Sequence, residues 1–464
     1  MDYDVLILGG GITGCAIAYE LSKYNLNIAL IEKDFDIADD ISFINADIVY
    51  DGSECKNDLM STLESMGNKL VKDISEKFNL PITKRPTLRI ANDDDGEEIL
   101  NKMYKRAKRR NLEGIELLEE DAVREIEPNI PCDIKKALYS KNTAVINPYE
   151  LAIAYGEVAF ENGVRFRLEE KVNEIQRILN GFRVTTNKNK FTCKFVVNTI
   201  PGDLYVDEEN EEVSESEKLM TYYLLLDNCT EPLYSNLIVK IDDENNYITH
   251  IPSPGGERII GINSEKSLGF YKSLRKAKGI LPSINNSNVN NVFYDEHHKD
   301  IVIIDDNEIN KGYIKITGKH YAEVTIAPAI AKLVSESVVE NLGCSKSNNF
   351  IDKRREFYRF RSLTNEQRNE LVAVDKKYGK IICMCNMITE GEVIDCIRRP
   401  LGARTLEGVK RRTGATFGRC HGANCISKII DILARELDKK PTEIVEDSKN
   451  SNLLASRIKE FDEI

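Results

Sequence analysis

Tryptophan is absent from the 464 residues, an omission with no functional content of its own. An excess of basic charge is missing as well. The 64 lysines and arginines fall short of the 76 acidic side chains, which gives a formal charge of −12 and a pI near 5.3. Without a basic footprint, general binding to nucleic acid is excluded, because that affinity comes from neutralised phosphates. No apolar run has the length that crosses a bilayer, so no integral membrane segment is expected. The amino terminus, Met1-Asp2-Tyr3-Asp4, has no basic n-region, and no secretory peptide is expected. In that setting the eleven cysteines are expected to be thiols or metal ligands rather than disulfides. The expected location is cytoplasmic.

What is present fits a soluble chain of two or three domains, at roughly 150 residues each. Hydrophobic residues make up 41%, enough for sizeable cores, and charged residues 30%. The first signal is local. Asp4-Val5-Leu6-Ile7-Leu8 reads as a buried parallel strand and is followed by Gly9-Gly10-Gly11-Ile12-Thr13-Gly14. A helical pattern then runs through Cys15–Leu21, and a second apolar strand, Asn27–Ile31, ends at Glu32. Strand, G-x-G-x-x-G, helix, strand and acid occur in the order of a dinucleotide fingerprint. Gly9 allows the tight turn, Gly11 lets a pyrophosphate approach the helix terminus, and Gly14 lets helix and strand pack closely. Glu32 would accept from ribose hydroxyls. The pattern itself does not choose between FAD and NAD.

Further along, 56–79 has helical spacing, and Asn147-Pro148-Tyr149-Glu150 reads as a capped helix start. That helix is expected to stop at Asn162-Gly163, before a strand over Val164–Leu168. Phe195–Thr199 reads as another buried strand, running into Ile200-Pro201-Gly202. Between 218 and 265 the period changes to two, with strands expected at Tyr222–Leu226, Leu237–Ile241, Tyr247–Ile251 and Arg258–Ile262. A strand at Tyr313–Thr317, Gly318 and a helix through Ala327–Val339 follow. Asp207–Glu217 and Asn285–Asn291 read as solvated loops. Thr364 and Gln367 can form a capping box.

Seven cysteines are scattered, but four come in two close pairs. Cys383-Met384-Cys385 and Cys420-His421-Gly422-Ala423-Asn424-Cys425 are separated by 34 residues. Four thiolates so arranged can enclose a zinc ion or a [2Fe–2S] cluster, although a one-residue gap fits zinc poorly. The stretch between the pairs is basic, with Arg398, Arg399, Arg404, Lys410, Arg411, Arg412 and Arg419. It reads either as positive charge near the thiolates or as a solvated helix face.

On these residues, the first 345 positions resemble the D-amino-acid-oxidase-like FAD-dependent oxidoreductases. The branch is that of anaerobic glycerol-3-phosphate dehydrogenases and 2-hydroxyglutarate-oxidase-like proteins. Ile382-Cys-Met-Cys-Asn, Gly402-Ala-Arg-Thr-Leu-Glu-Gly-Val-Lys-Arg-Arg-Thr and Gly418-Arg-Cys-His-Gly-Ala-Asn-Cys resemble the bacterioferritin-associated-ferredoxin-like [2Fe–2S] domain. The resemblance implies an α/β architecture. A Rossmann-like FAD domain over 1–80, 145–205 and 310–345 would carry an inserted antiparallel-sheet substrate domain over 81–144 and 206–309. A linker over 346–375 and a small, mainly α [2Fe–2S] module over 376–450 would follow. It further implies that Gly9, Gly11, Gly14 and Glu32 hold the ADP half of FAD, with Val172 near the adenine. Gly202, Gly318 and Thr325 would contact the flavin, and Cys383, Cys385, Cys420 and Cys425 would ligate the cluster.

The chain departs from the family at the flavin-ring end. Asp40-Ile41-Ser42-Phe43-Ile44-Asn45-Ala46-Asp47 stands where a Gly-Thr-Ser…Asn-Ser loop is usual, and Tyr50 where a histidine is expected. Tyr321-Ala322-Glu323-Val324-Thr325 replaces Ser-Pro-Gly-Leu-Thr, and Tyr294-Asp295-Glu296-His297-His298 replaces Gly-Leu-Arg-Pro. The activity implied is a dehydrogenase for a small hydroxy or amino acid, or for a glycerol 3-phosphate-like compound. Electrons would pass from flavin through the cluster to a redox partner protein or subunit, and an oligomer is compatible with this. Such chemistry needs a base and a cation, for which His250, Arg258, His297, His298 and His320 are candidates without one standing out. Two other readings stay open: a catalytically degenerate electron-transfer subunit, and a zinc-stapled interaction module.

Overall fold

The computed structural model describes residues 1–38, 47–200, 205, 218–226, 234–252, 258–266, 268–298, 303–305, 309–318 and 320–455. The expected loop at 207–217 and the turn that the sequence Ser253-Pro254-Gly255-Gly256 leads one to expect lie outside these residues.

The first sheet grows from the fingerprint strands. Tyr3–Leu8 pairs in parallel with Ile28–Ile31 on one side and Lys190–Asn198 on the other. Arg165–Arg167 and Tyr313–Thr317 extend it, again in parallel, at opposite flanks. Strands covered on both faces are continuous apolar runs, and Val5, Leu6, Ile7 and Leu8 are fully buried. The helices Ile12–Leu21, Pro148–Glu161 and Glu323–Leu342 share one core on a single face of this sheet. The second of these starts as its residues dictate. The Asn147 side chain accepts from the amides of Tyr149 and Glu150, and Gly163 beyond its end has φ +92°.

Among the described residues the second sheet has eight strands, in the order Val289–His298, Lys218–Leu226, Arg258–Ser264, Tyr247–Pro252, Leu237–Ile241, Thr87–Ala91, Lys136–Ser140 and Ile115–Leu118. The expected antiparallel sheet is mixed at one seam. Leu237–Ile241 runs parallel to Thr87–Ala91, because that is where two segments distant in sequence meet edge to edge. The asparagine-rich stretch is only partly a loop. Asn286–Asn288 is a short 3-10 turn capped by Asn285, and the strand begins at Val289 because Lys218–Leu226 offers it a partner. Alternation gives the sheet two distinct faces. Leu224, Ile248, Ile260 and Ile262 pack under the helix Phe270–Ala277, while Leu225, Ile251 and Ile259 face Ile48 of the first layer.

At the carboxyl end the Thr364–Gln367 capping box forms as expected. Glu390–Arg398, Leu406–Thr413 and Ile426–Leu437 then enclose a small core of Val393, Leu406, Val409, Ile429 and Leu433. The basic stretch within it divides: Arg398, Arg404 and Arg419 are exposed, whereas Arg399, Arg411 and Arg412 are buried against partners elsewhere in the fold. Arg399 donates to Glu157 at 2.9 and 3.1 Å, and Arg412 donates to Asp36 at 2.7 Å, with all four side chains buried. Arg411 lies over the ring of Tyr149 and pairs with Asp447. These arginines pin the module to the helix Pro148–Glu161 and to the segment after the second strand. Arg398 pairs with Glu436 inside the module, and Arg404 and Arg419 are exposed. No helix among the described residues is long and apolar enough to cross a membrane.

Candidate active site and redox centre

The nucleotide end is set by backbone approach. Gly9 has φ +102°, and a Cβ there would lie 2.4 Å from Thr199 Oγ1. A Cβ on Gly14 would lie 2.0 Å from the carbonyl oxygen of Gly9, so neither position admits a side chain. Gly11 is the N-cap of Ile12–Leu21, which has no side-chain cap and no acid in its first turn. Its amides and dipole are therefore directed at an anion. Glu32 sits at the end of the second strand, where its Oε2 accepts from Gly10 N at 2.5 Å and its Oε1 from Asp34 N at 3.0 Å. These residues fit the ADP half of FAD. Val172 is buried with Ala29 and Ile31 at the adjoining sheet face, and Gly318, φ +99°, follows the strand Tyr313–Thr317. Thr325 is fully buried: its hydroxyl donates to Ile48 O at 3.2 Å and accepts from Tyr50 N at 3.1 Å, which staples a helix start to a strand. Gly202 and residues 40–46 lie outside the described residues, as do the side chains of His297 and His298.

Between this layer and the second sheet is a cavity walled by Ile48, Tyr50, Tyr223, Tyr247, His320 and Tyr321. Strand alternation decides who reaches it. Tyr247, Thr249 and Ile251 line it, so His250 faces the other way and packs edge-on to Tyr234 at 5.1 Å. There burial, with the Arg258 cation beside it, holds the His250 pKa down to about 3. Arg258 shares that far face with Ile260 and Ile262, whereas Gly261 and Asn263 line the cavity. Of the five base and cation candidates, only His320 is brought to the cavity among the described side chains.

A second cavity adjoins the first, with Tyr247 and Tyr321 lining both. Its walls carry Lys56, Arg89 and Arg106. Arg89 pairs with Glu54, and Lys56 with Glu244 at 2.5 Å. Arg106 Nε is buried and has no hydrogen-bond partner among the described residues. Tyr321 donates to Glu64 Oε1 at 2.7 Å. Glu64 is wholly buried, and desolvation pushes its carboxyl up to about 8. Cys55, Glu64 and His320 bring ligand atoms within 4.8 Å of one another. Ala322 N–H donates to His320 Nδ1 at 3.1 Å, which leaves the proton of the neutral ring on Nε2. That nitrogen is then a donor rather than a metal ligand, so the cluster reads as a proton-holding group. Sequence reasoning missed Glu64, Arg89, Arg106, Tyr223 and Tyr247. The alternation that places Thr221 with Tyr223 and Tyr247 with Thr249 on one face was the available signal.

The four paired cysteines converge. Cys383 ends the strand Ile381–Cys383 and Cys425 caps the helix Ile426–Leu437, both buried, while Cys385 is exposed and Cys420 half-buried. The sulfurs contact two by two, Cys383 with Cys425 and Cys385 with Cys420. A hydrogen bond from Cys425 and the amides of Asn386 and Thr416 hold Cys383 down at about 5, and Cys425 is correspondingly pushed up. Amides of Gly422 and Asn424 serve Cys420. A tetrahedral zinc site brings all four sulfurs within about 4 Å of each other. Here the group of three ligating side chains within 4.8 Å is the Cys55 cluster and includes none of these four. Two adjacent pairs suit two irons.

Residues 4–337 match the family described as FAD dependent oxidoreductase, and residues 381–435 match the BFD-like [2Fe-2S] binding domain. A glycerol 3-phosphate dehydrogenase of Caloramator mitchellensis is 35% identical, covering 98% of this chain and 99% of the relative. Subunit A1 of the anaerobic glycerol-3-phosphate dehydrogenase of Haloferax volcanii is 22% identical, covering 94% and 83%. In fold, the L-alpha-glycerophosphate oxidase of Mycoplasma pneumoniae, solved with FAD bound, superposes with a TM-score of 0.66 at 22% identity, over 77% of this chain and 99% of the other. With a glycine-shaped nucleotide cradle at one end and paired thiols at the other, the chain belongs to the FAD-dependent oxidoreductase family and carries a BFD-like [2Fe–2S] domain.

Proposed function

We propose that the protein dehydrogenates a small anionic hydroxy compound, with glycerol 3-phosphate as the first substrate to test, and delivers the electrons through its cluster to a partner protein. The observation that carries this reading is that half-buried Arg106, whose buried Nε has no partner among the described residues, shares a cavity with Tyr321, whose hydroxyl donates to the buried Glu64 behind it. The names of the relatives support the substrate class. FAD held by Gly9, Gly11, Gly14 and Glu32 would supply the hydride acceptor, and a [2Fe–2S] cluster on Cys383, Cys385, Cys420 and Cys425 the one-electron outlet.

The side chains divide the remaining work. Arg106 offers a planar fork to a phosphate or carboxylate, while Arg89 and Lys56 are already neutralised by Glu54 and Glu244. The Tyr321 oxygen can receive the substrate hydroxyl proton as its own proton moves along the existing hydrogen bond to Glu64. A carboxyl near 8 is close to neutral working pH, where acid–base catalysis is most effective. Tyr50 and Tyr321, with ring centroids 4.9 Å apart, wall the cavity against water. Ten free cysteines among the described residues suit a reducing compartment, and we place the protein in the cytoplasm.

The test is anaerobic addition of glycerol 3-phosphate, 2-hydroxy acids or amino acids to the purified holoprotein, followed by flavin bleaching. Bleaching by glycerol 3-phosphate, with a raised KM in Arg106→Met, is expected. The second reading, a degenerate electron-transfer subunit, is favoured by Tyr50, Tyr321 and Glu323 at the ring end. It is upheld if both cofactors are present and no compound bleaches the flavin.

A further inference from the structure

The module touches the rest of the molecule at a second place besides its arginine seam. The loop Ala415-Thr416-Phe417-Gly418 lies between the cavity wall and the thiols. On one side, Phe417 packs against the apolar group of Ile48, Leu225, Ile251 and Ile259, on which Tyr50 and Tyr223 also rest. Ile48, Tyr50, Tyr223 and Ile251 are themselves cavity walls. Asn290 Nδ2 donates to the Phe417 carbonyl at 3.4 Å, and Lys410 Nζ lies 5.2 Å from its ring centroid, so backbone and ring are each contacted.

On the other side the same loop builds the cluster site. The Thr416 amide hydrogen-bonds to the sulfurs of Cys383 and Cys425. Gly418 lies so close to Cys385 that a Cβ would come within 2.2 Å of the Cys385 Cβ. Thr416 has φ +72°, a left-handed conformation that a β-branched residue adopts only under constraint. Four consecutive residues thus reach from the cavity wall to the sulfurs.

We propose that Phe417 and the Thr416 amide form the electron crossing from the flavin cavity to the cluster. This rests on the reading that FAD occupies that cavity. Tunnelling rates fall steeply with distance and more steeply across gaps than through packed atoms, and hydrogen bonds to thiolate sulfur are good couplers. In each passage the reduced flavin loses one electron and one ferric ion of the cluster becomes ferrous, and no bond forms or breaks. Two passages match a two-electron oxidation, once a one-electron acceptor protein has emptied the cluster in between. The buried Arg412–Asp36 pair holds the module in place but does not touch the sulfurs, so it is a mounting rather than a path.

The test uses the full chain loaded with FAD and cluster and needs no substrate. The bound flavin is photoreduced by a flash, and arrival of the electron at the cluster is followed by visible absorption and by EPR. Phe417→Ala is expected to slow that arrival by an order of magnitude, with the EPR signature and cluster potential retained. Phe417→Leu, which refills most of the volume, is expected to slow it much less. Equal rates in Phe417→Ala and the wild type, with both groups loaded, overturn the proposal. If Phe417→Ala loses its cluster, Phe417→Leu and Phe417→Val replace it as a graded pair, and a rate indifferent to side-chain size overturns the proposal as well. A wild-type chain that holds the cluster and takes up no FAD overturns the underlying reading instead.

Discussion

The nucleotide cradle and the thiol site differ from the cavity between them in how they are made. Each of the first two comes from one or two short stretches in which backbone geometry sets the chemistry: Gly9 to Gly14 with Glu32, and Cys383 to Cys385 with Cys420 to Cys425. The cavities are assembled from single side chains on many segments, among them Arg89, Arg106, Tyr223, Tyr247 and Tyr321, with Glu64 buried behind Tyr321. A site of the first kind fails as a unit when one atom changes. A site of the second kind shifts its affinity or pH response and keeps its fold. The arginine seam joins the two kinds, since it fixes where the thiols sit relative to the cavity.

The largest effect should come from the thiol site. Cys425→Ser, at a buried proposed ligand position that stands at the N-cap of a helix, is expected to abolish iron content and visible absorption outright, as measured by metal analysis. Retained iron there would break the contrast between the two kinds of site.

Next is the seam. Arg412→Ala leaves Asp36 as an uncompensated buried charge, and loss of about 3–5 kcal/mol is expected in denaturant unfolding. The double change Asp36→Ala and Arg412→Ala should recover part of that loss, because no lone charge then remains.

For the cavity the expected signature is a pH response. Glu64 is raised in the folded state from 4.5 to about 8, so between those values the folded protein binds the additional proton. Its contribution to stability is fully present below pH 4.5, declines as pH rises, and is lost above about 8. Glu64→Gln cannot ionise and should flatten that decline, as read from unfolding midpoints at pH 5 and pH 9. An unchanged slope would show that the cavity carboxyl does not titrate there.

The smallest effect sharpens the comparison within the basic stretch itself. Arg398 is about as near the thiols in sequence as Arg399, but its side chain is 60% exposed and pairs with Glu436 on the surface. Arg398→Ala is expected to change stability by about 0–1 kcal/mol in the same unfolding measurement.

Much of the fold was legible because its signals are short-range. The strand Tyr3–Leu8, the helix opening at Asn147-Pro148, the Thr364–Gln367 box and the period-two strands from Tyr222 to Ile262 all follow from neighbours in sequence. The parallel pairing of Leu237–Ile241 with Thr87–Ala91 was not legible, since those strands are about 150 residues apart and nothing local sets their direction. The departures at Tyr50, Tyr321 and Glu323 read as losses one at a time, and His320 as one of five undistinguished candidates. In space, Tyr321 meets Glu64, Tyr50 meets Tyr321, and His320 meets Cys55.

The sequence alone determined the groups whose placement is a matter of backbone reach: glycines where any Cβ would collide, an acid at a strand end, and thiols on a tight loop. Only the tertiary structure decided the fate of residues whose partners are remote. Arg399 and Arg412 could have faced water or thiolate, and Glu157 and Asp36, more than 240 residues earlier, claimed them instead. His250 and Tyr247 are three positions apart, yet the pleat sends one into an apolar core and the other to the cavity. Burial is what converts such placement into chemistry, because a charge or proton removed from water takes its properties from whatever the fold sets beside it.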